Sequence, residues 1–275
     1  DYKKFQKILN LKFDKIILAT PSTQGLGHAF FLTKYSRQLL VANKESIVCG
    51  GKVLLNFAKM HKCKITSIDS EHYCIQQSLL ENKIDEIDSV YLTASGGPFL
   101  GMNARSYSKA SITKVINHPR WNMGNKISVD SATLVNKIFE LMEAHVLFGI
   151  AINKIKIKIH KESLIHSAIV LKNGLVKLIA HDTTMSIPIR NSLFDNKFFS
   201  QENSFFNSKK KIIFNFQETN LSKFKIVKTG YKVLKMGHRA WILFNVINDS
   251  LVDRFLNNEI YFYEIVLNLI KIFQK

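Results

Sequence analysis

Short apolar runs and helix-compatible stretches alternate along residues 15–68. The pattern predicts strands over residues 15–20, 38–43 and 64–68, with helices over residues 28–36 and 52–62 between them. Strands separated by single helices pair in parallel, so we predict an α/β fold with a parallel sheet in this part. The turn after the first strand contains Gly25 and Gly27, a weak phosphate-loop signal because the full G-x-G-x-x-G pattern is absent.

The hydrophobic pattern changes in the second half of the chain. A mostly apolar stretch with regularly spaced polar residues predicts one long helix over residues 131–148, with Ser131 near its N-terminal cap. The remaining pattern predicts strands over residues 89–93, 154–159 and 175–179, a loosely structured connector over 195–216, and helices over 222–272. We therefore expect a parallel-sheet part, an α+β part and a helical part, in that order.

Composition narrows the class of protein. The chain has 275 residues, of which 46% are hydrophobic, enough for one large domain or two smaller ones. No apolar run approaches the roughly 20 residues that cross a bilayer, so we predict no membrane-spanning segment. The three cysteines exclude a fold held by several disulfides and suit a reducing compartment.

The net charge of +18 raises the question of nucleic-acid binding. Only six of the 39 basic residues are arginine, the residue that makes bidentate contacts to bases. The abundance of lysine, asparagine and isoleucine is what an AT-rich coding sequence produces. We therefore favour solvated surface lysines over a nucleic-acid-binding surface, and such a field would also attract a small anionic substrate.

Two acidic residues, Asp69 and Glu71, directly follow a predicted strand. If the strand continues, both carboxylates point the same way, and such hard oxygen ligands suit Mg²⁺ or Mn²⁺. The alternative is the N-terminus of a helix, where acidic residues are favourable in any protein. From these two residues alone the helix N-terminus is the better interpretation.

The predicted helix over residues 131–148 carries a polar stripe. Asn136, Glu140 and Glu143 are spaced i, i+4, i+7 and share one face, with Lys137 beside them. Most neighbouring positions are apolar, which indicates a buried helix, and buried polar groups need partners. The stripe is either an internal ion-pair network or a metal or substrate site.

Two turns could contact an anion. Residues 95–99 (Ser-Gly-Gly-Pro-Phe) would let backbone amides approach a phosphate or oxyanion, although a plain turn after a strand is the commoner case. Residues 118–124 combine a histidine with Trp121 and Met123, as in a lid that excludes water or in an ordinary surface loop. For His160 and His166 we favour structural roles.

Several motifs occur together in a fixed order. They are Asn43-Lys44-Glu45-Ser46, Asp69-Ser70-Glu71-His72, the turn 95–99, and the long run over residues 118–140. In this combination the chain resembles the 1-deoxy-D-xylulose 5-phosphate reductoisomerase family, from about residue 16 to about residue 260. Members of that family form 2-C-methyl-D-erythritol 4-phosphate in the non-mevalonate isoprenoid pathway, with NADPH and a divalent metal.

The resemblance implies a role for individual residues. The divalent-metal ligands would be Asp69, Glu71 and Glu140, with Glu71, Glu140 and Lys137 acting in catalysis and Glu143 beside them. The substrate would be bound by Ser70, Ser95, His118, Trp121, Met123, Ser131, Asn136 and Lys137, the Trp and Met on a closing flap. NADPH would be bound by Asn43, Lys44, Glu45 and Gly124.

The resemblance also implies a domain order. We expect residues 1–68 to be the second half of an NADPH-binding domain, 69–195 the catalytic domain, 196–221 a connector and 222–275 the start of a C-terminal helical domain. The family's Gly-rich dinucleotide fingerprint is not found in this sequence, and Thr183-Thr184 replace the usual Pro-Asp before Met185. A non-catalytic remnant that binds divalent metal or sugar phosphate is therefore the alternative function.

The remaining expectations concern partners and location. We expect a sugar phosphate as the small-molecule partner, a homodimer, and neither nucleic acid nor membrane as a partner. A cytoplasmic location fits the pathway, and a plastid-type organelle would fit it too.

Overall fold

The N-terminal strands pair in parallel, as predicted. The computed structural model describes residues 12–102, 108–121, 123–195, 212–219 and 224–274. In it the first sheet has the order β1-β2-β3, from β1 (Phe13–Leu18), β2 (Ser36–Val41) and β3 (Lys64–Ser67). Helices α1 (Gln24–Thr33) and α2 (Lys44–Met60) connect these strands, so the α/β prediction is confirmed.

Helix α2 begins eight residues before its predicted start. Asn43 caps the helix, because its side-chain oxygen accepts a hydrogen bond from the Ser46 amide at 2.7 Å. Inside the helix Gly51 is non-helical, with φ +48°, and a Cβ there would come within 2.6 Å of the His238 ring. The glycine therefore allows a later helix to pack directly against α2.

The second sheet is mixed and has the order β7-β6-β4-β5-β8. Its strands are β4 (Ile87–Ala94), β5 (Ile155–Ile159), β6 (Ile165–Leu171), β7 (Val176–Ala180) and β8 (Gln217–Glu218). Only β4 and β5 pair in parallel. Strand β6 escaped prediction because it is buried on both faces and lacks the alternation of a half-exposed strand.

The prediction of one helix over residues 131–148 is wrong. The structure has α5 (Asn125–Thr133) and α6 (Val135–Phe148), separated by buried Leu134 in the left-handed conformation at φ +66°. Ser131 therefore lies in the last turn of α5 and is not a helix cap. The break accompanies a close approach of the turn after β4, since a Cβ on Gly97 would lie 3.1 Å from the Ala132 Cα.

Asp69 and Glu71 lie at a helix N-terminus, the interpretation that the sequence favoured over a continued strand. Strand β3 ends at Ser67, and Asp69 is the cap of α3 (Ser70–Ser78), its side chain accepting from the Glu71 amide at 3.3 Å. Short helices α4 (Ile112–Ile116) and α7 (Ser186–Leu193) complete the middle of the chain.

Three C-terminal helices pack against one another, and the first two of them contact α6. They are α8 (Lys225–Met236), α9 (His238–Leu256) and α10 (Phe262–Phe273), in the region predicted to be helical. Helix α6 lies between them and the second sheet, and Ile138 and Phe139 on it are fully buried. None of the described helices has both the length and the apolar character needed to cross a bilayer. Most of the predicted connector, residues 196–211 and 220–221, lies outside the described residues.

Candidate active site

A cavity of about 190 Å³ lies between the N-terminus of α3, the polar face of α6 and the turns that follow β4 and α4. We call it the carboxylate cavity. All the side chains that the resemblance assigned to metal, catalysis or substrate line it. These are Asp69, Ser70, Glu71, Ser95, His118, Trp121, Met123, Ser131, Asn136, Lys137 and Glu140.

Three carboxylates converge on one side of this cavity. Oxygens of Asp69, Glu71 and Glu140 lie within 4.8 Å of one another. Asp69 caps α3 and Glu71 lies in its first turn, whereas Glu140 comes from the middle of α6 and is 1% exposed. Burial and the neighbouring Glu140 carboxylate raise the pKa of Glu71 to about 8. A divalent cation would relieve this repulsion, so the donor set fits a hard metal ion such as Mg²⁺ or Mn²⁺.

Two buried ammonium groups partly neutralise the carboxylates. The Lys137 Nζ lies 2.6 Å from a Glu71 oxygen and 2.7 Å from a Glu140 oxygen. The Lys44 Nζ lies 2.7 Å from Asp69 and 3.4 Å from Glu140. Burial opposes the charged form of both lysines, but the carboxylates outweigh it and raise each pKa above its usual value. The polar stripe on α6 is thus part of an ion-pair network and of a candidate metal site at once.

Lys44 also lines the carboxylate cavity, in addition to the role that the resemblance assigned to it. The resemblance assigned it to NADPH, and its ammonium points into the carboxylate cavity, where it also donates to the Asn136 side-chain oxygen at 2.8 Å. Its position at the first residue of α2 brings the N-terminal sheet into direct contact with the acidic cluster. Sequence spacing could not reveal this contact, because Lys44 and Asn136 are 92 residues apart.

His72 and Glu143 form a second buried layer behind the carboxylates. The His72 Nδ1 lies 3.5 Å from an Asp69 oxygen and 3.4 Å from a Glu143 oxygen. Although burial opposes its charge, the Glu143 and Asp69 carboxylates raise the pKa of His72 to about 9. Its other nitrogen, Nε2, donates to the Glu140 carbonyl at 3.1 Å. His72 therefore joins α3 to α6, the two helices that supply the carboxylates.

The opposite wall of the cavity carries hydroxyl, amide and ring groups. The Ser95 hydroxyl lies 3.0 Å from the His118 Nε2 and accepts from the Gly97 amide at 3.1 Å. Burial and the Lys137 charge lower the pKa of His118 to about 4, so this ring is neutral at pH 7. This wall offers neutral donors, in contrast to the charged carboxylate side.

Ser163, His166 and Met185 are among the lining residues to which the resemblance assigned no role. His166 stacks on the His181 ring with centroids 3.8 Å apart, and its Nε2 lies 3.2 Å from the His181 carbonyl. The sequence favoured a structural role for His166 because this residue and His160 flank an apolar stretch. His160 lies outside the cavity, stacked on Phe216.

A second cavity of about 460 Å³ adjoins the first, and we call it the Asn43 cleft. The four residues assigned to NADPH line it: Asn43, Lys44, Glu45 and Gly124. The Asn43 amide nitrogen donates to the Thr20 carbonyl at 2.6 Å, so this side chain holds the loop after β1. A Cβ on Gly124 would meet nothing within 4 Å, so the cleft has room at this edge.

Known proteins match almost the whole chain. Residues 65–148 match the 1-deoxy-D-xylulose 5-phosphate reductoisomerase C-terminal domain, and residues 182–275 match the DXP reductoisomerase C-terminal domain. The enzyme of that name from Pelagibacter ubique is 35% identical over 99% of this chain and 71% of its own length. The one from Wolbachia pipientis wMel is 38% identical over 94% of this chain and 67% of its own length.

Solved structures of enzymes with this name also match the chain. A DOX-P reductoisomerase in complex with NADPH, fosmidomycin and magnesium is 28% identical, with a TM-score of 0.90 over 100% of this chain and 70% of that one. The Zymomonas mobilis enzyme in complex with NADPH is 25% identical, with a TM-score of 0.86 over 99% of this chain and 70% of that one. The chain therefore belongs to the 1-deoxy-D-xylulose 5-phosphate reductoisomerase family.

Proposed function

We propose that this chain rearranges 1-deoxy-D-xylulose 5-phosphate and reduces the product with NADPH, which yields 2-C-methyl-D-erythritol 4-phosphate for isoprenoid synthesis. The observation that carries the proposal is the convergence of Asp69, Glu71 and Glu140 within 4.8 Å beside two buried lysines. Family membership supports it, and so do the NADPH and magnesium held by the solved relatives.

The carboxylate side provides the rearrangement chemistry. A divalent ion held by Asp69, Glu71 and Glu140 would supply a Lewis acid that polarises the substrate's ketone and hydroxyl oxygens. Lys137 contacts two of these carboxylates, which fixes them in place and leaves its charge beside the oxyanion that the rearrangement creates. Lys44 restrains Asp69 in the same manner.

The opposite wall binds and covers the substrate. Ser95 and Ser131 line the space where the phosphate and the sugar hydroxyls would lie, and Asn136 faces the same space from the carboxylate side. Trp121 and Met123 close the same side with apolar surface, and the Trp121 ring meets His166 edge-on at 5.9 Å. Such a cover excludes water from a reactive intermediate.

The Asn43 cleft is the proposed NADPH site, and NADPH would supply the hydride for the reduction. The cleft is continuous with the carboxylate cavity, because Ala42, Lys44, Ile127 and Asn136 line both. This continuity would bring a nicotinamide ring against the substrate carbon. Gly124, at the start of α5, leaves space at the entrance.

The alternative function is a non-catalytic remnant that still binds divalent metal or sugar phosphate. The two are separated by following NADPH oxidation with 1-deoxy-D-xylulose 5-phosphate, with and without Mn²⁺, together with a direct measurement of Mn²⁺ binding. Metal-dependent oxidation supports the enzyme. Metal binding with no oxidation under any condition would favour the remnant.

We further propose that the protein is a homodimer, as the family resemblance implies. Light scattering coupled to size-exclusion chromatography would give twice the chain mass for a dimer. The cytoplasmic or plastid-type location stays a prediction, to be tested by imaging a tagged protein in its native cell.

A further inference from the structure

Four aromatic rings contact one another in series, and we call them the ring column. Trp121 meets His166 edge-on with centroids 5.9 Å apart, and His166 stacks on His181 at 3.8 Å. His181 then meets the Tyr73 ring at 65°, with centroids 6.4 Å apart. The rings come from the loop after α4, strand β6, the residue after β7 and helix α3. The column therefore connects the cover of the carboxylate cavity with the helix whose N-terminus supplies two of the carboxylates.

The inner three rings of the column are buried and held by hydrogen bonds. His166, His181 and Tyr73 are at most 6% exposed. Because a carbonyl can only accept, the His166 Nε2 donates to the His181 carbonyl at 3.2 Å, and the His181 Nδ1 donates to the Asp182 carbonyl at 2.7 Å. The Tyr73 hydroxyl accepts from the Asn191 side chain at 2.9 Å. Each inner ring therefore has a fixed partner besides its neighbours in the column.

The outer ring depends on the inner three. Trp121 is partly exposed and lies on a loop, whereas His166 lies on a strand of the second sheet. Within the described part of the chain, His166 is the only ring that Trp121 contacts. Both of these residues line the carboxylate cavity, but His181 and Tyr73 do not. The plane of the His166 ring therefore decides where Trp121 lies over the cavity, and the stack on His181 holds that plane.

We propose that His181 and Tyr73 are positioning residues for the cover of the cavity, because they hold the His166 ring in the plane that Trp121 packs against. The inference rests on the proposed function, in which Trp121 keeps water away from the reacting substrate. His181 does not line the cavity, so its effect on the reaction passes through His166. If the column only filled the core, substitutions in it would lower stability without moving Trp121.

The charge state of the two histidines agrees with the stacked geometry. Burial and the adjacent His181 lower the pKa of His166 to about 3, and burial lowers the pKa of His181 as well. Two neutral imidazoles can stack with centroids 3.8 Å apart, whereas two imidazolium ions would repel each other. The stack is therefore intact at neutral pH.

Fluorine nuclear magnetic resonance of protein labelled with 5-fluorotryptophan tests the proposal without substrate. The chain has two tryptophans, Trp121 and Trp241, and Trp121→Phe assigns their two resonances. Trp241 is buried outside the column, so its resonance reports on the general fold. This readout needs no catalytic activity, so it stands whether or not the proposed function does.

Two substitutions of His181 separate its ring from its hydrogen bond. His181→Asn loses the ring and keeps a donor for the Asp182 carbonyl, whereas His181→Phe keeps a ring and loses the donor. We expect His181→Asn to shift the Trp121 resonance and leave that of Trp241 in place, and His181→Phe to leave both near their wild-type positions. Tyr73→Leu and Tyr73→Phe should repeat this contrast with a smaller shift, because Tyr73 is one ring further from the cavity.

His61→Asn is the matched control, because it removes a histidine ring that packs on Phe57 at 4.3 Å outside the column. Neither tryptophan resonance should move in this variant. With 1-deoxy-D-xylulose 5-phosphate, turnover should fall about fivefold in His181→Asn, the effect of losing one aromatic pair, and return in His181→Phe.

The other outcomes decide against the proposal. A Trp121 resonance that stays in place in His181→Asn would overturn it, and so would movement of both tryptophan resonances, which indicates a general loss of packing. Equal shifts in His181→Asn and His181→Phe would assign the effect to the hydrogen bond and not to the ring. Unchanged turnover in His181→Asn despite a moved resonance would overturn the positioning role. If the resonances behave as expected but the wild type turns over no substrate, the proposed function fails and the column does not.

Discussion

In the carboxylate cavity Glu71 and Glu140 face each other across the Lys137 ammonium, whereas in the Asn43 cleft the protein itself satisfies the polar side chains. The Asn43 amide is bonded to the loop after β1, and a Glu45 oxygen lies 2.7 Å from the Lys126 Nζ. The cavity thus holds three carboxylates that two lysines neutralise only in part, and a divalent cation would relieve the remaining repulsion. The polar side chains of the cleft are already paired within the protein, so the cleft would bind a ligand through its shape and its backbone groups.

This difference shows that two motifs of the same family resemblance can serve different purposes. Residues 43–46 form a cap, a buried lysine and an ion pair, so much of the motif stabilises the fold. Residues 69–71, by contrast, bring carboxylates together at an electrostatic cost. We therefore expect substitutions in the cavity to change chemistry and substitutions around the cleft to change stability.

The largest expected effect is that of Glu140→Gln. The change removes one of three proposed metal ligands, so we expect Mn²⁺-dependent turnover to fall on the order of a thousandfold, together with Mn²⁺ affinity. Thermal stability without metal should change little, because the lost ion pairs with Lys44 and Lys137 are offset by relief of repulsion with Glu71. Glu81→Gln, at an exposed carboxylate, is the control. Unchanged metal binding in Glu140→Gln would contradict the site.

A smaller but purely structural effect is expected at the edge of the cleft. Lys126 lies within 3.1 Å of three carboxylates, on Glu45, Asp130 and Asp249. Lys126→Met leaves them without their cation, so we expect the free energy of unfolding in urea to fall by about 3 kcal/mol. Lys177→Met, at an exposed ion pair, should cost less than about 1 kcal/mol. Similar losses of unfolding free energy in the two variants would contradict a special structural role for the ion pairs around the cleft.

The cavity should also contribute a pH dependence. Burial and the adjacent His181 lower the pKa of His166 to about 3, so the unfolded chain takes up this proton more readily than the folded one. The stability that the neutral ring contributes is present above pH 6.5 and is lost progressively as pH falls toward 3. Between pH 7 and pH 5, urea unfolding of the wild type should lose on the order of 2 kcal/mol more than that of His166→Asn. Equal losses would contradict a neutral buried ring.

The smallest effect is expected for the cap of α2. Asn43→Ala removes the acceptor for the Ser46 amide and two donors to the loop after β1, so we expect a loss of about 1 kcal/mol. Mn²⁺ affinity should not change, because Asn43 does not line the carboxylate cavity. Asn56→Ala, at an exposed position of the same helix, serves as the control. A loss of metal binding in Asn43→Ala would show that cavity and cleft are coupled.

The local sequence pattern was sufficient to predict the features that depend on residues close together in the chain. Alternating strands and helices predicted the parallel sheet, and the i, i+4, i+7 spacing correctly placed Asn136 and Glu140 on one face, where they are hydrogen-bonded at 2.6 Å. For Asp69 and Glu71 the helix N-terminus was the right local structure, and the structure also places both in the candidate metal site.

Long-range packing decided what the pattern missed. The break at Leu134 accompanies the close approach of Gly97 to α5, and no local signal marks a leucine for a left-handed backbone. Strand β6 was missed because burial on both faces removes the alternation that identifies a strand. The position of Lys44 depends on a contact across 92 residues.

By itself the sequence determined the fold class, the family and most of the polar residues around the cavity, because these follow from short-range periodicity and from motifs of a few residues. Only the tertiary structure decided which of those side chains meet and that Lys44 joins the carboxylates. The reason is physical: ion pairs and hydrogen bonds act over about 3 Å, and only the folded chain brings distant residues that close.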